Sequence, residues 1–269
     1  MAKPVAVDIP GCRTIEESGN KATEKGLCFL VDFQTRTNEF FIEAVRRVHD
    51  GTIGEIAFGE ATYHCDRLGI QAQPGTPEAL LLNWFFEKTL SGDIITEQNI
   101  HTLDVMNWIM GVPPLLATGT GGRKVRVDVG DCWDHFAVLY QYPNGVGITF
   151  SSRQFAGYGT PEGIKNRMFG SKGVLETEYG GNVMIRGETS YRGGKTPQIY
   201  YEGAAQNVKT FYENIVGKKF DNPTVAPSVA SNRITILGRT AAYENRQVSW
   251  EEILHSESRM EPDLKGLKA

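Results

Sequence analysis

The sequence lacks any glycine-rich strand-to-helix turn of the G-x-G-x-x-G kind, the backbone device that seats a dinucleotide pyrophosphate. Gly119-Thr120-Gly121-Gly122 has no closing glycine of that fingerprint, lies between expected strands and opens no helix. Cysteine is scarce. Cys12, Cys28, Cys65 and Cys132 show no C-x-x-C spacing, which argues against a zinc knuckle or a disulfide framework and predicts reduced, partly buried thiols. No apolar run approaches the ~18 to 20 residues of a membrane span, and the opening MAKPVAVDIPG has no apolar segment with a small-residue cleavage site. A cytoplasmic protein with no membrane partner is expected, an export signal removed upstream being the open alternative. Clustered positive charge is missing too: the net charge is -4, and the densest basic stretch, Arg123, Lys124 and Arg126, reads as a solvated strand or loop, so no nucleic-acid partner is expected. There is no internal repeat and no low-complexity segment.

What is present suits a folded chain of one large domain or two small ones: 269 residues, 40% hydrophobic and 22% charged. Residues 14–25 predict a helix stopped by Gly26, and 27–33 a buried strand. Phe40, Phe41, Ala44, Val45 and Val48 recur at helical spacing within 36–49, before Gly51. Residues 53–65 alternate as a strand, 71–77 read as a loop, and 93–110 as a helix. Strands then follow at 116–119, 123–129, 135–142, 146–153, 165–169, 174–178 and 182–186. The Asn144-Gly145 pair signals a hairpin, and 187–195 is a loose polar stretch. Helices at 204–216 and 228–246 close the chain. Many consecutive strands between helices predict an α+β fold: an open, mostly antiparallel sheet with helices on one face. Its other face needs a partner, and Phe136, Tyr140, Tyr142, Phe150 and Phe155 favour a homo-oligomer.

The densest chemistry lies in DIITEQNIHTLD, residues 93–104. Glu97, His101 and Asp104 stand at i, i+4 and i+7, and at about 100° per residue they span an arc of roughly 60°. A carboxylate and an imidazole on one face form an acid/base pair, the alternative being a solvated stripe opposite Ile95, Val105, Met106 and Ile109. His64 and Asp66 end the 53–65 strand near the expected mouth, where Tyr63, Arg67, Asn83 and Trp84 would stack on and hydrogen-bond a ligand. His135, with Trp133 and Asp134, and Arg153, with Gln154, are expected on strands facing the helix. A divalent metal held by His64, Glu97, His101 and His135 is the weakest option, since only Glu97 and His101 have local ligand spacing.

With Lys3-Pro4, the 92–104 segment and the Asn144-Gly145 hairpin placed, the chain resembles the Gfo/Idh/MocA family of sugar and cyclitol oxidoreductases from Lys3 to about Leu254. The resemblance implies a C-terminal α/β domain whose open sheet makes an oligomer interface. KPVAVD looks like the family's Glu-Lys-Pro turn, with Ala2 in place of the Glu, which makes Lys3 the counterpart of a lysine at the substrate and nicotinamide. The family's Asp-x-x-x-His pair maps onto Glu97 and His101, and Asp104 matches a further acidic position. Residues 1–35 are then the remnant helix and strand of a Rossmann domain, 36–255 the substrate and catalytic domain and 256–269 a tail. The cofactor is unknown from the residues and NAD(P) by resemblance only, with a separate Rossmann-domain chain as one source of it.

Three functions follow as expectations. The first is the substrate and catalytic portion of a sugar or cyclitol oxidoreductase without its own NAD(P) cradle. The second is a nicotinamide-independent lyase, epimerase or hydrolase on a sugar or ketosugar, using His101 and Glu97. The third is a non-catalytic sugar-binding or oligomerisation module.

Overall fold

A computed structural model of the chain describes residues 1–76 and 78–263. Asp8 starts helix α1 (Ile9–Glu24): its side chain accepts from the Gly11 amide, and Pro10 fits the first turn, where no amide is needed. Asn38 caps α2 (Glu39–His49) through the Phe40 and Phe41 amides. The face that α2 buries is Phe41, Ala44, Val45 and Val48, as the helical spacing predicts. Burial of a side chain such as Phe41 contributes on the order of 1.5–3 kcal/mol.

Among the described residues nine strands form one sheet: β1 (Ile56–Cys65), β2 (Leu116–Gly122), β3 (His135–Gln141), β4 (Gly147–Gln154), β5 (Gly163–Gly170), β6 (Gly173–Glu178), β7 (Asn182–Gly187), β8 (Tyr191–Lys195) and β9 (Val248–Ser249), in the order β8-β7-β6-β5-β1-β4-β3-β2-β9. Every pairing is antiparallel except β1 with β4. Helices α2, α3 (Ile100–Met110) and α5 (Val225–Glu244) pack on one face, while α4 (Ile199–Val216) lies against residues 34–37. The expected open, mostly antiparallel sheet is therefore present. Asn144 and Gly145, at φ 62° and 76°, turn the chain between β3 and β4, where an Asn-Gly pair tolerates left-handed backbone.

Several local expectations are corrected. Residues 27–33 form no strand of the sheet: the segment is extended, with one bridge between Ala2 and Asp32. Its amides are satisfied within the chain, Phe29 by Asn222 Oδ1 and Val31 by the Thr224 hydroxyl, and Leu30, Val31 and Phe33 are buried. Residues 123–129 also form no strand. The Lys124, Val125 and Arg126 amides all point at one carboxylate oxygen of Asp134, which curls the backbone out of any ladder. Arg126 is not solvated: it is 2% exposed, lies over the Phe86 ring and donates to the carbonyls of Val129, Cys132 and Trp133. Strand β8 lies in the stretch read as a loose polar loop, its polar residues forming an edge. Of the expected 71–77 loop and 256–269 tail, Pro77 and residues 264–269 lie outside the described residues.

Four of the five aromatic residues expected on the outer face lie on the inner one, while Phe155, half-buried, meets the outer-face His135 ring edge-on at 6.5 Å. Phe136, Tyr140, Tyr142 and Phe150 are 0 to 2% exposed beneath the helices. The outer face carries Glu60, Thr62, Thr149 and Arg167, with Phe58 and Phe169 stacked at 4.5 Å. All four cysteines are free, Cys12 and Cys132 buried and Cys28 and Cys65 partly so. No helix among the described residues is long and apolar enough to cross a membrane.

Candidate active site

The 93–110 helix is broken where its chemistry sits. Gly92 and Asp93 both take positive φ, 77° and 73°, and Asp93 caps a single turn, Ile94–Glu97, through the Ile94 amide. Gln98 and Asn99 interrupt the helix before α3 begins. The break comes from tertiary contacts that one-dimensional periodicity does not record, and it separates Glu97 from the helix that carries His101 and Asp104.

Lys3 and Glu97, 94 residues apart, form an ion pair at 3.1 Å, and the Lys3 ammonium also donates to the Glu97 carbonyl. The two side chains are 14% and 13% exposed, so the pair is screened from bulk water. Residues 1–3 are docked: the Met1 amine donates to the Leu30 carbonyl and the Asp32 amide to the Met1 carbonyl. Lys3 is therefore not a frayed cation. His101 is 9% exposed, its ring centroid 5.2 Å from that of Tyr179, and its Nδ1 is buried with no partner among the described residues. Burial, and then the Lys3 charge, hold its pKa well below the ordinary histidine value. The imidazole is therefore neutral near pH 7.

Asp104 does not join the pair. It is fully buried, gripped bidentately by Arg36 and hydrogen-bonded by Ser231 at 2.7 Å. Glu97, His101 and Asp104 thus do not converge on one ligand, although Glu97 and His101 both face the Lys3 region.

The remaining expected substrate residues fall in three places. His64, His135 and Arg153 share the outer face, His135 directly opposite Arg153 and His64 beside it, so neither His135 nor Arg153 faces the helix. Strand alternation is the reason: Phe136 and Gln154 take the inner face, and a shift of one residue reverses the side. His64 Nε2 meets the Ser151 hydroxyl at 3.0 Å, His135 pairs with Asp134, and Arg153 lies near Asp66 and Glu162. Arg67 pairs with Asp128 at the exposed surface. Asn83 is buried and braces a loop, accepting from the Gln71 and Ala72 amides, while Trp84 is 39% exposed against Phe85. His64, Glu97, His101 and His135 form no ligand set. Among the described residues no group of three or more His, Cys, Asp or Glu could hold a metal.

Sequence reasoning named Gln154 but missed the other buried polar residues on this side, Gln98, Ser152 and Asn166. Gln154 donates to Gln98, Asn166 donates to the Thr102 carbonyl, and Ser152 Oγ, Gln154 Oε1 and Asn166 Oδ1 are buried without partners among the described residues. Buried unpaired acceptors beside a neutral imidazole suit a polyhydroxylated ligand, whose hydroxyls would satisfy them. The signal was available: Ser152 and Gln154 continue the i, i+2 series of buried Ile148 and Phe150. One residue before Lys3, a cleft of about 290 Å³ is lined by Ala2, Leu30, Asp32, Asn207 and Phe211 among others.

A dinucleotide cradle seats its phosphates between a strand and the N-terminus of the following helix in a parallel sheet, whereas among the described residues this sheet has one parallel pair, β1 with β4. Gly119 and Gly121 serve packing instead, since a Cβ there would meet the carbonyls of Ala137 and His135 at 2.8 and 2.5 Å.

Residues 41–176 match the family model of the GFO/IDH/MocA C-terminal domain. The chain is 23% identical over 256 residues to the inositol 2-dehydrogenase of Rhizobium meliloti (strain 1021), covering 92% of this chain and 72% of the relative. It is similar in fold to the aldose-aldose oxidoreductase of Caulobacter crescentus, with a TM-score of 0.71 at 18% identity, covering 92% of this chain and 70% of that one. It is also similar to a super-repressor mutant of Gal80p from Saccharomyces cerevisiae, with a TM-score of 0.73 at 14% identity, covering 96% and 73%.

Proposed function

Because the chain belongs to the GFO/IDH/MocA family, we propose that it is the substrate-binding and proton-transferring part of a sugar or cyclitol oxidoreductase without an NAD(P) cradle of its own. The observation that carries this is the Lys3–Glu97 ion pair beside a neutral, buried His101. Oxidation of a secondary alcohol requires the hydroxyl to lose its proton as the carbinol carbon loses hydride. His101 takes that proton, the Lys3 ammonium stabilises the developing alkoxide, and Glu97 holds Lys3 in place. A charge developing in a water-poor site is stabilised more than in bulk solvent. Ser152, Gln154 and Asn166 bind the remaining hydroxyls. Hydride transfer is assigned to no residue here. A Rossmann-type partner would supply nicotinamide, and the exposed apolar face of α4, with Tyr201, Val208, Tyr212 and Val216 63 to 71% exposed, supports such docking.

Calorimetric titration of the chain with myo-inositol and a panel of aldoses tests the reading. Binding of at least one, weakened in Lys3→Ala and Asn166→Leu, is expected, with none for NAD(P) alone. Absence of polyol binding, or binding untouched by both substitutions, would reject it.

Two further readings have an observation each. Neutral His101 beside an ammonium also suits proton abstraction next to a ketone, as in a lyase or epimerase, and incorporation of deuterium from solvent into a ketosugar, lost in His101→Asn, would favour it. The Gal80p likeness shows the fold in a protein described by repression, which suits a binding module; polyol binding with neither turnover nor exchange would favour that.

A further inference from the structure

The segments bearing Lys3, Glu97 and His101 have no ladder or helix in common, yet one stripe of α5 touches all three. Ser231 donates to Asp104 at 2.7 Å and accepts from Asn107 at 3.0 Å, both on the helix of His101. Asn232 accepts from the Val5 amide at 3.1 Å and donates to the Ala6 carbonyl at 2.8 Å, two and three residues after Lys3. The hydroxyls of Thr235 and Thr96 share a hydrogen bond of 3.1 Å next to Glu97. Arg239 closes the set: one guanidinium nitrogen donates to the Gly92 carbonyl and the other to the Val7 carbonyl, each at 2.7 Å. That side chain bridges the Lys3 loop to the Glu97 turn.

We propose that Asn232, Thr235 and Arg239 are positioning residues that hold Lys3 and Glu97 in register beside His101, a role that rests on the proton-transfer reading above. Ser231, Asn232 and Thr235 are fully buried and Arg239 is 8% exposed. Burying four polar groups costs desolvation that an apolar helix face would avoid, and the return here is a fixed backbone geometry. The i, i+1, i+4, i+8 spacing sets all four on one face of α5. The helix is seated on the rigid sheet: a Cβ at Gly238 would lie 2.0 Å from the Tyr140 hydroxyl, and that hydroxyl donates to the Ile234 carbonyl. The catalytic groups are thus held through α5 by β3, which carries Tyr140. Catalysis by a misplaced pair falls steeply, since a displacement of 1 Å can cost about 100-fold in rate.

The experiment compares Thr235→Val, Thr235→Ser and Arg239→Lys with the full chain, reading the NMR titration of the His101 ring, assigned through His101→Gln, alongside thermal melting. Thr235→Val keeps the side-chain shape and removes the hydroxyl; Arg239→Lys keeps the charge but reaches only one of the two carbonyls. Both are expected to melt cooperatively and to move the His101 titration up toward that of an ordinary histidine as water enters, while Thr235→Ser restores the native titration. Where turnover is measurable, kcat falls by about 10- to 100-fold with KM little changed. A native His101 titration in both folded variants would overturn the proposal. The functional reading fails separately, if His101→Asn leaves turnover or exchange intact, and the titration results would still decide the positioning role.

Discussion

Lys3 and Glu97 meet at 3.1 Å across 94 residues of sequence, and the carbonyl of Glu97 as well as its carboxylate faces the ammonium. The lysine is held by a backbone dipole in addition to its counter-ion, so Glu97→Gln should weaken the contact without releasing it. Lys3→Ala, which leaves the Glu97 carboxylate partly buried and unpaired, is expected to lower the melting temperature more than Glu97→Gln does. Differential scanning calorimetry of the two variants checks the order.

His101 should make stability fall on acidification. Its folded pKa lies below the ordinary value of 6.5 because burial and then Lys3 oppose the cation. Below pH 6.5 the unfolded chain therefore binds a proton that the native chain refuses, and stability is lost as pH falls from there. The unfolding free energy from denaturant melts, taken between pH 5 and 7, should be less pH-dependent in His101→Gln. An unchanged slope would mean that the imidazole takes up its proton in the fold over the same pH range as in the unfolded chain.

Asp93 should act with the opposite sign. It is fully buried, and burial, only partly offset by hydrogen bonds from Tyr243, Trp133 and Ile94, raises its pKa to about 6 from 3.8. The native state holds the proton more tightly, so stability is fullest below pH 3.8 and is lost as pH rises through 6, by on the order of 3 kcal/mol. The difference in unfolding free energy between the native chain and Asp93→Asn isolates this contribution from the other carboxylates.

Asp104→Ala should cost about 3–5 kcal/mol, because it strands Arg36, which lies largely under cover, and leaves the Ser231 hydroxyl without its acceptor. Chemical denaturation gives the number. A loss below about 1 kcal/mol would show that water reaches the Arg36 guanidinium and replaces its partner.

Self-association through the outer sheet face is expected to depend on the Phe58–Phe169 stack, the apolar centre of a surface otherwise dressed with Glu60, Arg167 and Glu176. Sedimentation of Phe58→Lys against the native chain reads the effect: a shift toward monomer supports an oligomer through this face, and identical distributions reject it.

Where periodicity was strong the fold was legible. Helix α2, the β3–β4 hairpin and the β5–β6–β7 meander stand within a few residues of their expected bounds, because each follows from short-range patterning and a turn residue able to adopt left-handed backbone. Residues 27–33 and 123–129 were misread for a common reason. Both are apolar enough for a strand, but their amides are claimed by side chains remote in the one case and near in the other: Asn222 and Thr224, and Asp134.

The site divides along the same line. Sequence alone determined which groups stand as candidates: an imidazole four residues after a carboxylate, a Lys-Pro start and a run of strands to support them. Tertiary structure alone decided which of them meet. It broke the helix after Glu97, withdrew Asp104 into an ion pair with Arg36, turned His135 and Arg153 to the outer face and brought Lys3 to Glu97. Spacing along a chain fixes direction only within one unbroken element. Contacts between elements depend on how their buried faces pack, and here α5 makes the contacts that join them.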